Sequence, residues 1–224
     1  MNEKRNISIY LAAELILLIA IEAIIAARPT ETYLTGPFQP LNILMYLAII
    51  LNTIMALWYF THDRKKEHDM LAYGLFATCA ADFFMTLLDT DAGYIIGVIL
   101  FCIVETIYLV YLKPTKTNII LRALLYIAAL ISIYMAGLFT TANALGILNI
   151  VLVVTNVPSA FLTKRAHPPL LFKIGITLFM SCDLSIMIRT LTTGTAHDIV
   201  ALLVWLFYIP AQVLITMAYI KPLK

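Results

Sequence analysis

The sequence predicts an all-α membrane protein, a polytopic bundle of eight transmembrane helices in a single domain over residues 1–224. The composition predicts this first, because 62% of the residues are hydrophobic, only 12% are charged and the mean hydropathy is +0.94. Soluble domains carry about 25% charged residues. Apolar segments of about 20 residues, each able to cross a ~30 Å hydrocarbon core, are the second observation. The third is the one-sided distribution of the basic residues.

The apolar segments follow one another with short polar breaks, several of which contain proline or glycine. Lys4 and Arg5 before the first segment resemble the start of a signal peptide. That segment is about 21 residues long, whereas the apolar region of a signal peptide has roughly 7–15, so we assign it as the first helix. The predicted spans are residues 7–27, 41–60, 70–88, 93–112, 119–136, 143–162, 170–191 and 197–220.

The basic residues fix the predicted orientation, because lysine and arginine concentrate in cytoplasmic loops. With eight spans, only Arg28 and Arg189 fall on one side of the membrane. We therefore expect an integral multi-pass protein of the cell membrane with both termini in the cytoplasm. The other side holds Lys4, Arg5, Arg64, Lys65, Lys66, Lys113, Lys116, Arg122, Lys164, Arg165, Lys173, Lys221 and Lys224.

Short matches between residues 1–114 and 115–224 predict an internal repeat of four helices plus four. Gly74 precedes Asp82 by eight residues, as Gly175 precedes Asp183. The fourth predicted helix ends in Tyr-Leu-Lys-Pro at Pro114, and the eighth in Tyr-Ile-Lys-Pro at Pro222. An even number of helices per half implies a parallel repeat about an axis along the membrane normal.

Two aspartates within the predicted spans are the candidate catalytic residues. Asp82 and Asp183 lie roughly 18–20 Å from the cytoplasmic ends of their helices at about 1.5 Å per residue, near or just past the midplane. Ionisable groups cost at least a few kcal/mol there. If the repeat holds, both carboxyls face one central cavity. The alternative is a pair of structural carboxyls hydrogen-bonded to serine, threonine and tyrosine hydroxyls.

Other polar residues share helix faces near these aspartates. Tyr108 lies three residues after Glu105, and Gln212 four residues after Tyr208, so each pair occupies one face. Arg189 follows Asp183 by six residues, close to the outer surface. Arg189 is expected either to bind a phosphate or to pair with an acid, the candidates being Asp89, Asp91 and Asp198.

The remaining polar groups point to packing. Asn149 and Asn156 lie seven residues apart on one face of the sixth predicted span, which favours hydrogen bonds between helices. The charge of +2 is nearly neutral and gives no sign of a nucleic-acid partner. We expect no metal site, because the histidines lie in loops or at span ends and the cysteines form no ligand motif: His62, His68, His167, His197, Cys79, Cys102 and Cys182.

Four segments between about residue 70 and the end form a recognisable pattern: GLFATCAAD, FCIVETIY, SCDLSIMIR and FYIPAQVLI. In their order and spacing they resemble the YhhN-like family of eight-span membrane proteins, which includes the lysoplasmalogenases. The family pattern has Gly-Asp in the third helix, His three residues before Tyr in the fourth, Ser-Asp in the seventh and Tyr-x-x-Ala-Gln in the eighth. The matching residues are Asp82, Tyr108, Ser181, Asp183, Tyr208, Ala211 and Gln212.

The sequence departs from this pattern at three positions. Ala81 replaces the glycine before the first aspartate, and Cys182 is inserted between the serine and the second. Glu105 stands where the pattern has histidine. Glutamate can also exchange a proton, but it changes the charge of the cavity.

The resemblance implies hydrolysis of the vinyl-ether bond of a lysoplasmalogen, giving a fatty aldehyde and a glycerophospho-base. In that chemistry one carboxyl donates a proton, while an ionised one stabilises the resulting cation and activates water. Asp82 and Asp183 would share these roles, with Glu105, Tyr108, Tyr208, Gln212 and Arg189 binding the lysophospholipid-like substrate. No cofactor is required.

Two other functions are compatible with the sequence. Repeated halves with acids at midplane depth also describe a proton-coupled small-molecule transporter. A non-catalytic lipid-binding membrane protein is favoured if Glu105 disables the site. Release of aldehyde in detergent, without a gradient, distinguishes the enzyme from both.

Overall fold

The computed structural model describes residues 3–27, 38–64, 66–163 and 166–221. Within these ranges it is all-helical, with eight helices that are long and apolar enough to cross a membrane. The predicted fold class and the number of spans are therefore confirmed. Residues of the sequence predictions that lie outside the described ranges are Arg28, Lys65, Lys164, Arg165, Pro222 and Lys224.

Among the described residues, the third span departs from α-helical geometry at both of its ends. A 3-10 turn, Lys66–His68, precedes α3, and a π-helical segment, Phe83–Leu88, continues it. The helices are α1 Glu3–Ala27, α2 Pro40–His62, α3 Asp69–Asp82, α4 Asp91–Tyr111, α5 Lys116–Met135, α6 Thr141–Leu162, α7 Leu170–Leu191 and α8 Gly194–Ile220.

Four helices begin two or three residues before the predicted spans, and threonine caps extend three of them, α4, α5 and α6, into polar sequence. The hydroxyls of Thr90, Thr115 and Thr140 each accept a hydrogen bond from the backbone amide three residues later, at 3.0, 3.2 and 3.1 Å. Such caps satisfy amides that the first helical turn leaves unpaired. Hydropathy detects only the apolar part of these helices, which explains the difference.

The helices pack in the same neighbour pattern in both halves of the chain. The contact of α1 with α2 corresponds to that of α5 with α6, and α2–α3 corresponds to α6–α7. The hairpin of α3 and α4 corresponds to that of α7 and α8, and α4–α6 to α8–α2. The halves differ in that α8 also packs on α1 and α3. This pattern is what a repeat of 1–114 and 115–224 would produce, and the repeat itself stays a prediction.

Both glycines of the predicted repeat lie where two helices approach closely. A Cβ atom at Gly74 would lie 2.2 Å from Cε1 of Tyr108 on α4. A Cβ atom at Gly175 would lie 3.1 Å from the carbonyl oxygen of Ala211 and 2.9 Å from Cγ1 of Ile215, both on α8. Because Gly74 and Gly175 have no side chain, α4 can pack closely on α3, and α8 on α7.

We predict that Gly74→Ala lowers the melting temperature of the protein in detergent. Alanine gains about 1 kcal/mol of helix propensity over glycine, but the clash with the Tyr108 ring costs about 1–3 kcal/mol if it is relieved by displacement. Gly146→Ala in α6 is the matched control, because a Cβ atom there meets nothing within 4 Å. A melting temperature that rises equally in both variants would show that Tyr108 does not pack on Gly74.

Candidate functional site

Asp82 lies at the point where α3 changes from α-helical to π-helical geometry. Its carboxyl is buried and accepts a hydrogen bond from the Tyr208 hydroxyl of α8. Thr86, in the π-helical segment, donates a second bond at 3.5 Å. Single π-helical turns often occur at functional sites. The Asp82 carboxyl is therefore held between α3 and α8 by two hydroxyls, which both the catalytic and the structural interpretations predict.

Asp183 is on α7 and has a different kind of partner. Its Oδ2 accepts a hydrogen bond of 2.9 Å from Nδ2 of Asn149 on α6, and the residue is half-buried. Asp183 interacts electrostatically with both Asp82 and Tyr208. The two aspartates thus lie within one polar region of the interior, contributed by α3, α6, α7 and α8. Asn149 was expected only to join helices, and the structure adds the contact with Asp183.

Glu105 of α4 is completely buried next to this region. Nδ2 of Asn156 on α6 donates to Oε2 of Glu105 at 2.7 Å and to its backbone carbonyl at 2.9 Å. Nη1 of Arg122 donates to Oδ1 of the same asparagine at 2.7 Å. Glu105 interacts electrostatically with Arg122 and with Asp183. Asn156 therefore bridges a buried acid and a buried base, and this bridge adjoins the aspartate pair.

Arg122 attaches α5 to the rest of the bundle. It is the buried residue of α5, a helix whose other residues, all described, are exposed or half-buried. Its guanidinium also donates to the Thr155 carbonyl at 2.9 Å and to the Ser159 hydroxyl at 2.8 Å. The sequence prediction used Arg122 only for orientation. Its place six residues inside α5 was a signal of a partner in the membrane, since a charge there is costly.

Tyr108 and Gln212, both predicted to bind substrate, are buried. Tyr108 interacts electrostatically with Glu105, one turn before it on α4. Gln212 follows Tyr208 by one turn of α8, and its Oε1 has no hydrogen-bond partner among the described residues. A buried polar atom without a partner costs about 1–3 kcal/mol. Gln212 therefore holds an unused acceptor one turn from the hydroxyl that binds Asp82.

Arg189, the fifth predicted binding residue, lies apart from the acids at the end of α7. It is six residues past Asp183, about 9 Å along the helix axis at 1.5 Å per residue. Its Nε donates to Nε2 of His197 at 3.2 Å, and Nδ1 of His197 lies 3.2 Å from the Arg189 carbonyl oxygen. Arg189 is thus positioned at the end of α7, about two turns from Asp183.

Glu14 of α1 is buried and has hydrogen-bond partners apart from the aspartate pair. Nδ2 of Asn52 on α2 donates to Oε1 of Glu14 at 2.8 Å. The hydroxyls of Tyr10 and Thr216 donate to Oδ1 of Asn52 at 2.6 and 2.9 Å. This cluster joins α1, α2 and α8.

The family model of the YhhN family matches residues 37–219, which is most of the chain. The chain belongs to the YhhN family. No curated protein and no solved structure matches it. In this YhhN protein the matched region includes Asp82, Asp183 and Tyr208, whereas α1 precedes it. Asn52, within the matched region, donates to Glu14 and accepts from Thr216, and so fastens α1 to the family fold.

We predict that Arg122→Met destabilises this YhhN protein, because it removes the donors that satisfy Asn156, Ser159 and the Thr155 carbonyl. The buried Oδ1 of Asn156, left without its donor, costs about 1–3 kcal/mol, so the melting temperature in detergent should fall clearly. Lys116→Met removes an exposed positive charge from the same helix and is the control. Equal melting temperatures for the two variants would contradict the role assigned to Arg122.

Proposed function

We propose that this YhhN protein hydrolyses the vinyl-ether bond of a lysoplasmalogen, releasing a fatty aldehyde and a glycerophospho-base. The observation that carries the proposal is the acid pair. Asp82 and Asp183 occupy one polar region inside an apolar bundle and interact electrostatically. Their surroundings differ, since Asp82 is buried and held by hydroxyls while Asp183 is half-buried and held by an amide. Unequal surroundings suit two carboxyls with different roles.

The reaction needs one proton donor and one proton acceptor. A protonated carboxyl gives its proton to the β-carbon of the vinyl ether, and the electrons of the double bond form the new C–H bond. The resulting oxocarbenium ion lies beside the ionised carboxyl, which stabilises it and takes a proton from the attacking water. The hemiacetal then breaks its C–O bond, giving the aldehyde and the free glycerol hydroxyl. Transfer of one proton back to the donor restores the enzyme.

The other predicted site residues have supporting roles in this proposal. Tyr208 orients Asp82, to which it is hydrogen-bonded. The unused acceptor of Gln212 suits a water molecule or a substrate hydroxyl. Glu105 and Tyr108 set the charge and shape of the interior next to Asp183. Arg189, at the helix end, is placed to bind the phosphate of the head group.

We further propose that the protein resides in the cell membrane with both termini in the cytoplasm. The bias of the basic residues supports this orientation, since Lys66, Lys116 and Lys221 all lie on one side when eight spans alternate.

We predict that Asp82→Asn or Asp183→Asn abolishes release of aldehyde from lysoplasmalogen by the purified protein in detergent. Asparagine preserves size and most hydrogen bonds but cannot exchange a proton, and loss of acid–base catalysis lowers rates by about 10²–10⁴-fold. Glu105→Gln should have a milder effect, because glutamine can still accept the bond from Asn156.

Asp91→Asn, at the exposed start of α4, is the matched control and should retain full activity. Normal turnover by both aspartate variants would refute the catalytic assignment. Activity in detergent, where no gradient exists, also separates an enzyme from a proton-coupled transporter.

Reporter fusions test the orientation. We predict that fusions at Asp91, Gly137 and Thr193 report an external location, and that fusions at Lys66, Lys116 and His167 report the cytoplasm. The physical reason is that basic loops are retained on the cytoplasmic side during insertion. Any two consecutive fusion points found on the same side would overturn the arrangement.

A further inference from the structure

A cleft of about 500 Å³ runs along the outside of the bundle between α2 and α3. Aromatic and aliphatic side chains form its walls, among them Leu57, Phe76, Phe83 and Phe84. Leu57 is 50% exposed, and Ala80 at the rim is exposed as well. Since α2 and α3 are membrane spans, this opening faces the lipid, and its walls suit a hydrocarbon chain.

The inner wall of the cleft leads to Asp82. Tyr46 and Cys79 both line the cleft, and the Tyr46 hydroxyl lies 3.5 Å from the Cys79 sulfur. Tyr46 also interacts electrostatically with Asp82, and Phe83 in the wall is the residue next to that aspartate. A lipid chain in the cleft would therefore have its polar end near a phenol hydroxyl and a candidate catalytic carboxyl.

The polar and apolar parts of the cleft follow one another along the membrane normal in the same order as the head group and chain of a membrane lipid. Asp82 is six residues from Leu88, the end of its span, which is about 9 Å at 1.5 Å per residue. Pro40, at the start of α2, belongs to the same end of the bundle, since the amide of Phe38 donates to the Leu87 carbonyl at 2.8 Å. From Asp82 the cleft extends away from this end, through the bilayer centre and past Phe76.

The second cleft, about 450 Å³ between α4 and α6, has a different floor. It is closed by apolar packing of Val98, Cys102 and Leu152, and the Cys102 thiol is directed to the Leu145 carbonyl at 3.7 Å. The inner wall of the α2–α3 cleft carries the Tyr46 hydroxyl, a full hydrogen-bond donor. The α4–α6 cleft carries the Cys102 thiol, which interacts electrostatically with Glu105 and Asp183 but is only a weak donor. The cleft between α2 and α3 is thus better suited to deliver the reacting end of a lipid to the acids.

We propose that the cleft between α2 and α3 binds the hydrocarbon chain of a single-chain ether phospholipid, which enters sideways from the leaflet at the Arg189 end of the bundle. The head group then lies at that surface, the ether carbons lie beside Asp82, and the chain follows the cleft towards the bilayer centre. The assignment rests on the proposed function for the identity of the lipid, and the test below separates the two.

The first experiment measures binding without turnover. Wild-type protein in phosphatidylcholine vesicles is treated with N-ethylmaleimide, with and without a saturated 1-O-alkyl lysophosphocholine, and the labelling rate of each cysteine is followed by mass spectrometry. At about ten times its dissociation constant the ether lipid leaves about one site in ten free, so Cys79 labelling should slow about tenfold. The Thr106→Cys variant, which places a thiol at an exposed position lining the other cleft, is the control, because Cys102 itself is buried.

The second experiment fills each cleft with a phenyl ring. Ala80 and Thr106 are both exposed residues, one lining each cleft. Ala80→Phe should weaken binding of the saturated ether lipid about tenfold or more, as expected for loss of about 1.4 kcal/mol, and should raise KM for the vinyl ether. Thr106→Phe should leave both values unchanged. Equal effects of the two variants, or an effect of Thr106→Phe alone, would overturn the assignment.

The outcomes separate this inference from the proposed function. Protection of Cys79 without cleavage of the vinyl ether would refute the hydrolase while supporting the cleft. Cleavage with protection of the thiol introduced by Thr106→Cys instead of Cys79, or with an unaffected Ala80→Phe variant, would refute the cleft and leave the hydrolase standing. If bilayer phospholipid alone slows the labelling of Cys79, ordinary lipid occupies the cleft. If the slowing grows with protein concentration, a second copy of the protein occupies it. Either result would overturn the inference.

Discussion

In the hydrocarbon core no water is present to satisfy a polar side chain, so every such group in a span must find its partner within the protein. In this YhhN protein the acids pair with neutral groups from other helices, while the Oε1 of Gln212 is left for a bound molecule in the proposed function. Asp82 is bonded to Tyr208 and Asp183 to Asn149. Glu105 reaches the positive charge of Arg122 through Asn156. These contacts determine which helices meet, and they place three carboxyls in one region of the interior.

Helix α8 connects most of these polar contacts. Tyr208, Gln212 and Thr216 follow one another at intervals of four residues, so they occupy one face of the helix. Through Tyr208 this face binds the acid of α3, and through Thr216 it binds Asn52 of α2, which in turn holds Glu14. Helix α8 also packs tightly on α7. The candidate active site and the attachment of the N-terminal helix therefore depend on the same element.

A hydrolase for a membrane lipid must bring a hydrophobic chain and water to the same atoms. In the bundle, the apolar surface for the chain and the polar groups suited to water lie in different directions from Asp82. An apolar cleft between α2 and α3 faces the lipid, and Tyr46 on its inner wall interacts electrostatically with the acid. On the other side of Asp82, the polar groups of α8 offer hydrogen-bonding sites suited to water. Substrate and water would thus approach the carboxyls from opposite sides in the proposed reaction.

The sequence by itself determined the eight helices, because the length and apolarity of a span are local properties fixed by the thickness of the bilayer. It also identified Asp82, Asp183 and the tyrosines as unusual, since the cost of a charge in the membrane does not depend on the fold. Only the tertiary structure decided the partners. In the sequence, Arg122 counted only towards the distribution of basic residues that sets the orientation, and no particular hydrogen-bond partner could be assigned to Asn156. Which side chains meet depends on helix rotation and on close approaches such as that at Gly74, and these are set by packing between segments distant in sequence.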